Sequence, residues 1–116
     1  MIRTIPQLTV IDVEQETAGV SSYKNIPLSL FNDHVVRVGV MTEPFYWHYH
    51  PNSDETFMAI EGTLLIDLED RRVELKPGQL FTIPAMVKHC TRPLDGRSVN
   101  LTFELAETET VRCDAG

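Results

Sequence analysis

From His34 onward the chain reads as short runs of alternating or β-branched apolar residues cut by turn formers. "HVVRVGVM" is rich in valine and is followed by the breaker "TEP". After it come "FYWHYH", "ETFMAI", "GTLLIDL", "RRVEL", "LFTI", "KHCTR" and "SVNLTFEL", each of strand length. "PNSD", "EG", "ED", "KPG", "PAMV" and "PLDG" lie between them, and all are good turn chemistry. Short strands at this spacing, seven prolines and no helical stripe predict an all-β sandwich or barrel. Residues 1–33 carry weaker signals. "QLTVIDV" alternates like a short strand and "EQETAGVSSYKNIPLSLFND" mixes turn formers, so a lead-in with an edge strand is expected there. Residues 34–110 should form the barrel and 111–116 a tail.

A length of 116 residues fits one domain, and 42% hydrophobic residues are enough for a core. Ten Lys and Arg stand against seventeen Asp and Glu, giving a net charge of -7 with the cations scattered, which argues against nucleic acid as a partner. No long apolar run or leader-like start occurs, so no membrane partner and a soluble, cytoplasmic protein are expected. Cys90 and Cys113 have no disulfide or zinc spacing and are read as free thiols, with Cys90 facing away from its neighbour His89.

The chemistry gathers in "YWHYHPNSDETF". Residues two apart on a strand share a face, so His48 and His50 can converge on one ion, with Tyr46 on the same face and Trp47 and Tyr49 on the other. A reversal at "PNSD" would bring an antiparallel strand back beside them, offering Glu55 or Asp54 as a carboxylate. An H-x-H pair alone is more often a surface feature. The second segment, "PGQLFTIPAMVKHCTRP", changes the balance by placing His89 after a proline turn at the start of a strand. His34, beside Asp33, has no partner at such spacing and is read as a surface turn residue.

These two stretches resemble the two motifs of the cupin superfamily. His48, His50, four residues, Glu55, six residues and Gly62 are similar to the first; Gly78, five residues, Pro84 and His89 are similar to the second. The resemblance selects Glu55 over Asp54, since the gap to Gly62 then has the family's length. Thr42, Met86 and Pro93 stand where the family has glycine, glycine and asparagine, which bears on loop geometry and not on ligands. A small single-domain cupin implies a double-stranded β-helix, or jelly-roll barrel. It also implies a divalent metal, iron, manganese, nickel, copper or zinc, held by His48, His50, Glu55 and His89, with coordination positions left for a small organic ligand.

Counting by twos from those residues makes Tyr46, Phe57 and Thr91 inward-facing candidates for substrate contact, and puts Met58 and Ile60 on the opposite face. Phe57 is the more natural core residue, and Tyr46 is a candidate to move a proton. Arg37, the one cation within an apolar strand, could bind a substrate carboxylate, although the pattern favours a solvent-facing or interface residue. Outward apolar residues, Trp47, Met58 and Val99 among them, ask for a cover and predict a homodimer. The leading expectation is a metal-dependent, dioxygenase-like enzyme. Its alternatives are a metal-dependent isomerase or lyase and a non-catalytic ligand-binding module.

Overall fold

The structure is a computed structural model and describes residues 5–115. One helix, α1 (Val13–Thr17), precedes ten strands: β1 (Lys24–Phe31), β2 (His34–Met41), β3 (His48–Tyr49), β4 (Glu55–Glu61), β5 (Leu64–Leu68), β6 (Arg72–Leu75), β7 (Leu80–Ile83), β8 (His89–Pro93), β9 (Ser98–Leu105) and β10 (Val111–Arg112). They form two five-stranded sheets, ordered β1-β2-β9-β4-β7 and β10-β3-β8-β5-β6. Every pairing is antiparallel, as in a double-stranded β-helix.

Alternation places the core. On β4, Glu55, Phe57 and Ala59 point between the sheets and are buried. Phe57, Met41, Leu64, Ile66, Leu75 and Ile83 close the inner core. The opposite face of the first sheet carries a second apolar cluster, Leu28, Val38, Val40 and Val99, with Ile60 packed against it. Here the structure corrects the sequence reading. Val99 is covered within the chain by Ile11, Val13 and Val20, so its burial needs no second copy.

The strand expected across "QLTVIDV" does not form: residues 7–12 are irregular, and the helix α1 follows from Val13. Asp12 caps it, accepting from the Gln15 N–H at 3.1 Å, a D-x-x-Q signature at a helix start. Arg97 clamps the segment to the barrel by donating from Nε to the Val20 carbonyl at 3.0 Å and from Nη2 to that of Thr17 at 2.6 Å, while it also pairs with Glu61. Nearby, Gly62 turns with φ +71, and a Cβ there would stand 2.6 Å from the Arg97 carbonyl oxygen, so only glycine fits. The lead-in's edge strand is β1, at one end of the first sheet.

Two further expectations change. Residues 111–116 were read as a tail, but Val111 and Arg112 pair with Tyr49 and His48 as an edge strand. The turn "PNSD" also makes no hairpin. It carries the chain from one sheet to the other, because the two edges of β3 are taken by β8 and β10. Ser53 and Asn52 hold the crossing, with the Leu105 N–H donating to Ser53 Oγ at 3.0 Å and the Asn52 amide donating to the Glu107 carbonyl at 3.0 Å.

Candidate metal centre

His48 and His89 are direct cross-strand partners on β3 and β8, so their side chains share one face of the second sheet. His50 follows two residues after His48. Glu55 reaches the same point from β4 in the facing sheet. One potential ligand atom from each of the four lies within 4.8 Å of those of the others, and all four residues are buried.

The rings are fixed by backbone carbonyls. Nδ1 of His48 donates to Tyr46 O at 2.8 Å, that of His89 to Val87 O at 2.9 Å and that of His50 to Glu109 O at 3.0 Å. With each Nδ1 proton so engaged, a neutral ring turns the lone pair of Nε2 into the space between the sheets. Glu55 Oε1 is 3.2 Å from His50 Nε2 and 3.3 Å from His89 Nε2. The His89 nitrogen, in a residue with no exposed surface, lacks hydrogen-bond geometry to any partner. A buried lone pair facing a carboxylate oxygen calls for a cation between them. Donors at right angles about 2.1 Å from one ion would be about 3.0 Å apart, close to the two distances from Glu55 Oε1 to His50 and His89. Three imidazoles and a carboxylate therefore fit a divalent transition metal.

Protonation follows from the same contacts. Burial pushes His48 down to about 4, with the His89 and His50 charges adding to it against the Tyr46 hydrogen bond. Burial also works on His50, but its contacts with Glu55 outweigh it and raise its pKa. Desolvation acts to raise the Glu55 carboxyl, but the His50 hydrogen bond and the nearby His89 ring outweigh it and hold it well below the usual carboxylate range. Glu104, unremarked in the sequence reading, lies beside Glu55. Burial first and then the Glu55 charge push it up to about 7, so this carboxyl can hold a proton near neutrality. Its signal was visible in "SVNLTFEL", where Ser98, Asn100, Thr102 and Glu104 form a polar stripe along an otherwise apolar strand.

The cluster opens into a cavity of about 220 Å³. Phe57 and Thr91 line it, as does Arg37, which therefore faces inward instead of toward solvent or an interface. Tyr46 does not line it. It is 38% exposed, and Arg112 sits over its ring at 4.8 Å. Residues 44–47 are not a strand, so the twofold count fails there, and Phe45 takes the place on the wall, its N–H donating to Thr91 O at 2.9 Å. Asp54 is exposed, its Oδ1 accepting from the Ala85 N–H at 2.8 Å in the turn. His34 begins β2, stacks on Phe31 and pairs with Asp33 at 2.9 Å, outside the site. Cys90 points the other way, toward Asp67, and both cysteines are free.

The departures from the motif are absorbed by the backbone. Met86 takes the left-handed conformation of the glycine it replaces, φ 73, and its N–H donates to the His50 carbonyl at 2.9 Å. Thr42 needs no positive φ. Pro93 ends β8 opposite Leu64.

Comparison with known proteins agrees with this architecture. The uncharacterized protein YdbB of Bacillus subtilis (strain 168) is 43% identical over 90 residues, covering 77% of this chain and 79% of that protein. Polyketide synthase CurC of Streptomyces cyaneus is 32% identical over 59 residues, 51% of this chain but only 38% of that protein. The crystal structure of a cupin-2 domain containing protein from Shewanella frigidimarina NCIMB 400 superposes with a TM-score of 0.76 at 25% identity, covering 83% of this chain and 94% of that one. The family model described as Cupin domain matches residues 34–101, from the first residue of β2 well into β9. The chain belongs to the cupin domain family.

Proposed function

We propose that this protein is a metal-dependent enzyme acting on a small organic molecule, with His48, His50, Glu55 and His89 as the metal ligands. The observation that carries it is the convergence of three carbonyl-anchored imidazoles and one buried carboxylate, of which His48, His50 and Glu55 also line a cavity. A bound divalent ion would supply Lewis acidity, and with iron, manganese, nickel or copper also redox chemistry. The chain's own residues orient the ligand rings, exclude bulk water and shape the pocket, with Phe57 and Thr91 on its wall. Oxygenase chemistry is the first class to test, and the likeness to a polyketide synthase over half the chain supports a small organic substrate.

Elemental analysis of untagged protein, followed by oxygen uptake with phenolic and diketone substrates, tests the proposal. Stoichiometric redox metal and oxygen consumption support it; zinc alone without oxygen uptake defeats the oxygenase reading. Isomerase or lyase chemistry is the second reading, favoured by Glu104. This buried carboxyl on the cavity wall can hold or release a proton near neutral pH. Activity that is independent of oxygen, abolished by chelator and lost in Glu104→Gln would select it. Tyr46, exposed beside the site, is the weaker proton carrier.

A homodimer belongs to the same proposal. With Val99 already covered, its support is the exposed apolar side chains that remain, Leu80 on the edge strand β7 and Phe31 at the end of the edge strand β1. Sedimentation showing only monomer at micromolar concentration would exclude it.

A further inference from the structure

The cavity has two chemically different walls. One holds His48, His50 and Glu55, with His89 of the same cluster fully buried. The other is the inner face of β1, β2 and β9, which presents Asn25, Arg37, Asn100 and Thr102. The register fixes their layout. Arg37 is opposite Thr102, and Thr102 is in turn opposite Phe57, two residues along β4 from Glu55. Two strand spacings across and two residues along place the Arg37 and Glu55 Cα atoms about 12 Å apart. Both side chains line the same cavity, so a small molecule can reach the guanidinium and the cluster at once.

Arg37 and Asn100 have unmet bonding capacity. The other barrel arginines with acidic neighbours use them: Arg72 and Arg92 share Asp67, and Arg97 pairs with Glu61. Among the described residues no carboxylate comes within ion-pair distance of Arg37. Its hydrogen bond to Asn25 Oδ1 is stretched to 3.5 Å. Glu104 lies on the same face but beyond ion-pair reach. The second, independent observation is Asn100, which is 4% exposed and whose Oδ1 has no hydrogen-bond partner. Across from it stands Gly39, which leaves the floor beside the amide without a side chain.

A half-buried guanidinium without an acid is matched by a planar carboxylate, which it can bind through two parallel N–H donors. An unsatisfied amide oxygen is matched by a hydroxyl. On a chain of net charge -7, an anion also needs a local cation to enter. We infer that the natural ligand is a small hydroxy or keto acid whose carboxylate is gripped by Arg37 and whose oxygen function lies at the metal-binding cluster, with Thr102 on the wall between them and Asn100, on the side of Arg37 away from Glu55, accepting from a further hydroxyl. This rests on the proposed metal-dependent reading for the far end of the ligand. The Arg37 end stands on its own contacts.

The test is calorimetric titration of purified protein with glycolate, lactate, pyruvate and mandelate and with the matching neutral amides, with metal content measured on the same samples. At least one acid should bind at least tenfold more tightly than its amide. Arg37→Met and Arg37→Gln should erase that preference while keeping the wild-type metal content and a cooperative thermal transition. Amides that bind as well as the acids, a panel in which no acid binds, or a preference that survives both substitutions would overturn the inference. Protein that takes up no metal but keeps an Arg37-dependent acid preference would instead overturn the metal reading and leave the carboxylate grip in place.

Discussion

The two faces of the sheet β1-β2-β9-β4-β7 show opposite uses of the same alternation. Its outer face, which a bare barrel would show to water, is apolar and sealed: Val38, Val40 and Val99 have 0%, 0% and 1% exposure beneath the N-terminal segment. Near the cavity its inner face is polar and only partly satisfied, with Arg37, Asn100, Thr102, Glu104 and Glu55. Burial of apolar area stabilises the first face. Buried polar atoms without partners, such as Asn100 Oδ1, cost stability on the second, which packing does not explain and the proposed ligand site would. On the proposed reading stability and function are separated by the thickness of one strand, and substitutions on the two faces should move different observables.

The largest effect belongs to the inner site. His89→Ala should lower metal affinity by more than about 100-fold, beyond the usual loss of an outer-sphere partner. With metal at 100 times its Kd, the wild type should gain about 2.7 kcal/mol, a rise in Tm of roughly ten degrees. The variant should gain almost none, by differential scanning calorimetry with and without metal. On the outer face, Leu28→Ala removes a side chain that is 4% exposed and should cost about 3 kcal/mol in urea unfolding. Metal stoichiometry should stay the same. If Leu28→Ala stripped the metal, or His89→Ala left the metal-dependent rise intact, the separation of the two faces would be lost.

Which parts were legible in the sequence follows from the range of the signal. Strands β2, β4, β5 and β9 were readable because each is a local run of alternating or consecutive apolar residues of strand length. His48, His50, Glu55 and His89 were readable because motif spacing encodes a convergence that local patterning does not. The route of that convergence was hidden. "PNSD" looks like any hairpin turn, and nothing within it tells that the peptide groups of β3 are taken by β8 and β10. Glu104 was hidden for the same reason, because it meets Glu55 only through the pairing of β4 with β9, nearly fifty residues on. The covering helix was missed although its cap was in view: five residues are too few to show a helical stripe, and Asp12 with Gln15 was the only local sign.

Charge on the outer surface of the second sheet offers a smaller test. Arg72 and Arg92 both donate to Asp67, at 2.9 and 3.1 Å. Desolvation of Asp67 acts to raise its pKa, but the two arginines outweigh it and lower it. A carboxylate with a lowered folded pKa gives stability that is present above its ordinary pKa, 3.8, and is lost as pH falls through the folded one. Asp67→Asn should therefore cost about 1 kcal/mol at pH 7 and nothing measurable once the pH is well below the lowered folded pKa, the size being that of a partly exposed ion pair. Arg37→Met, which breaks no ion pair, should show no such acid-dependent difference. Paired curves of urea midpoint against pH for the two variants would show whether Arg37 differs from the structural arginines in this way.

The smallest expected effect compares two left-handed turn residues. On the sealed side the position falls to Gly62, where no other residue fits; beside the site it falls to Met86, φ 73, with its side chain 59% exposed. A non-glycine residue held in this region costs about 1–2 kcal/mol, and glycine would relieve that while losing about 0.5–1 kcal/mol of unfolded-state entropy. Met86→Gly should thus stabilise the protein by about 0.5 kcal/mol, while Met86→Val, branched at Cβ, should destabilise it by more than that. The Met86 N–H bonds the carbonyl of His50, and glycine keeps that N–H, so metal affinity should be unchanged in the glycine variant. If Met86→Gly instead weakened metal binding, the methionine would be holding the His50 backbone in place, and the strain would belong to the site and not merely to the turn.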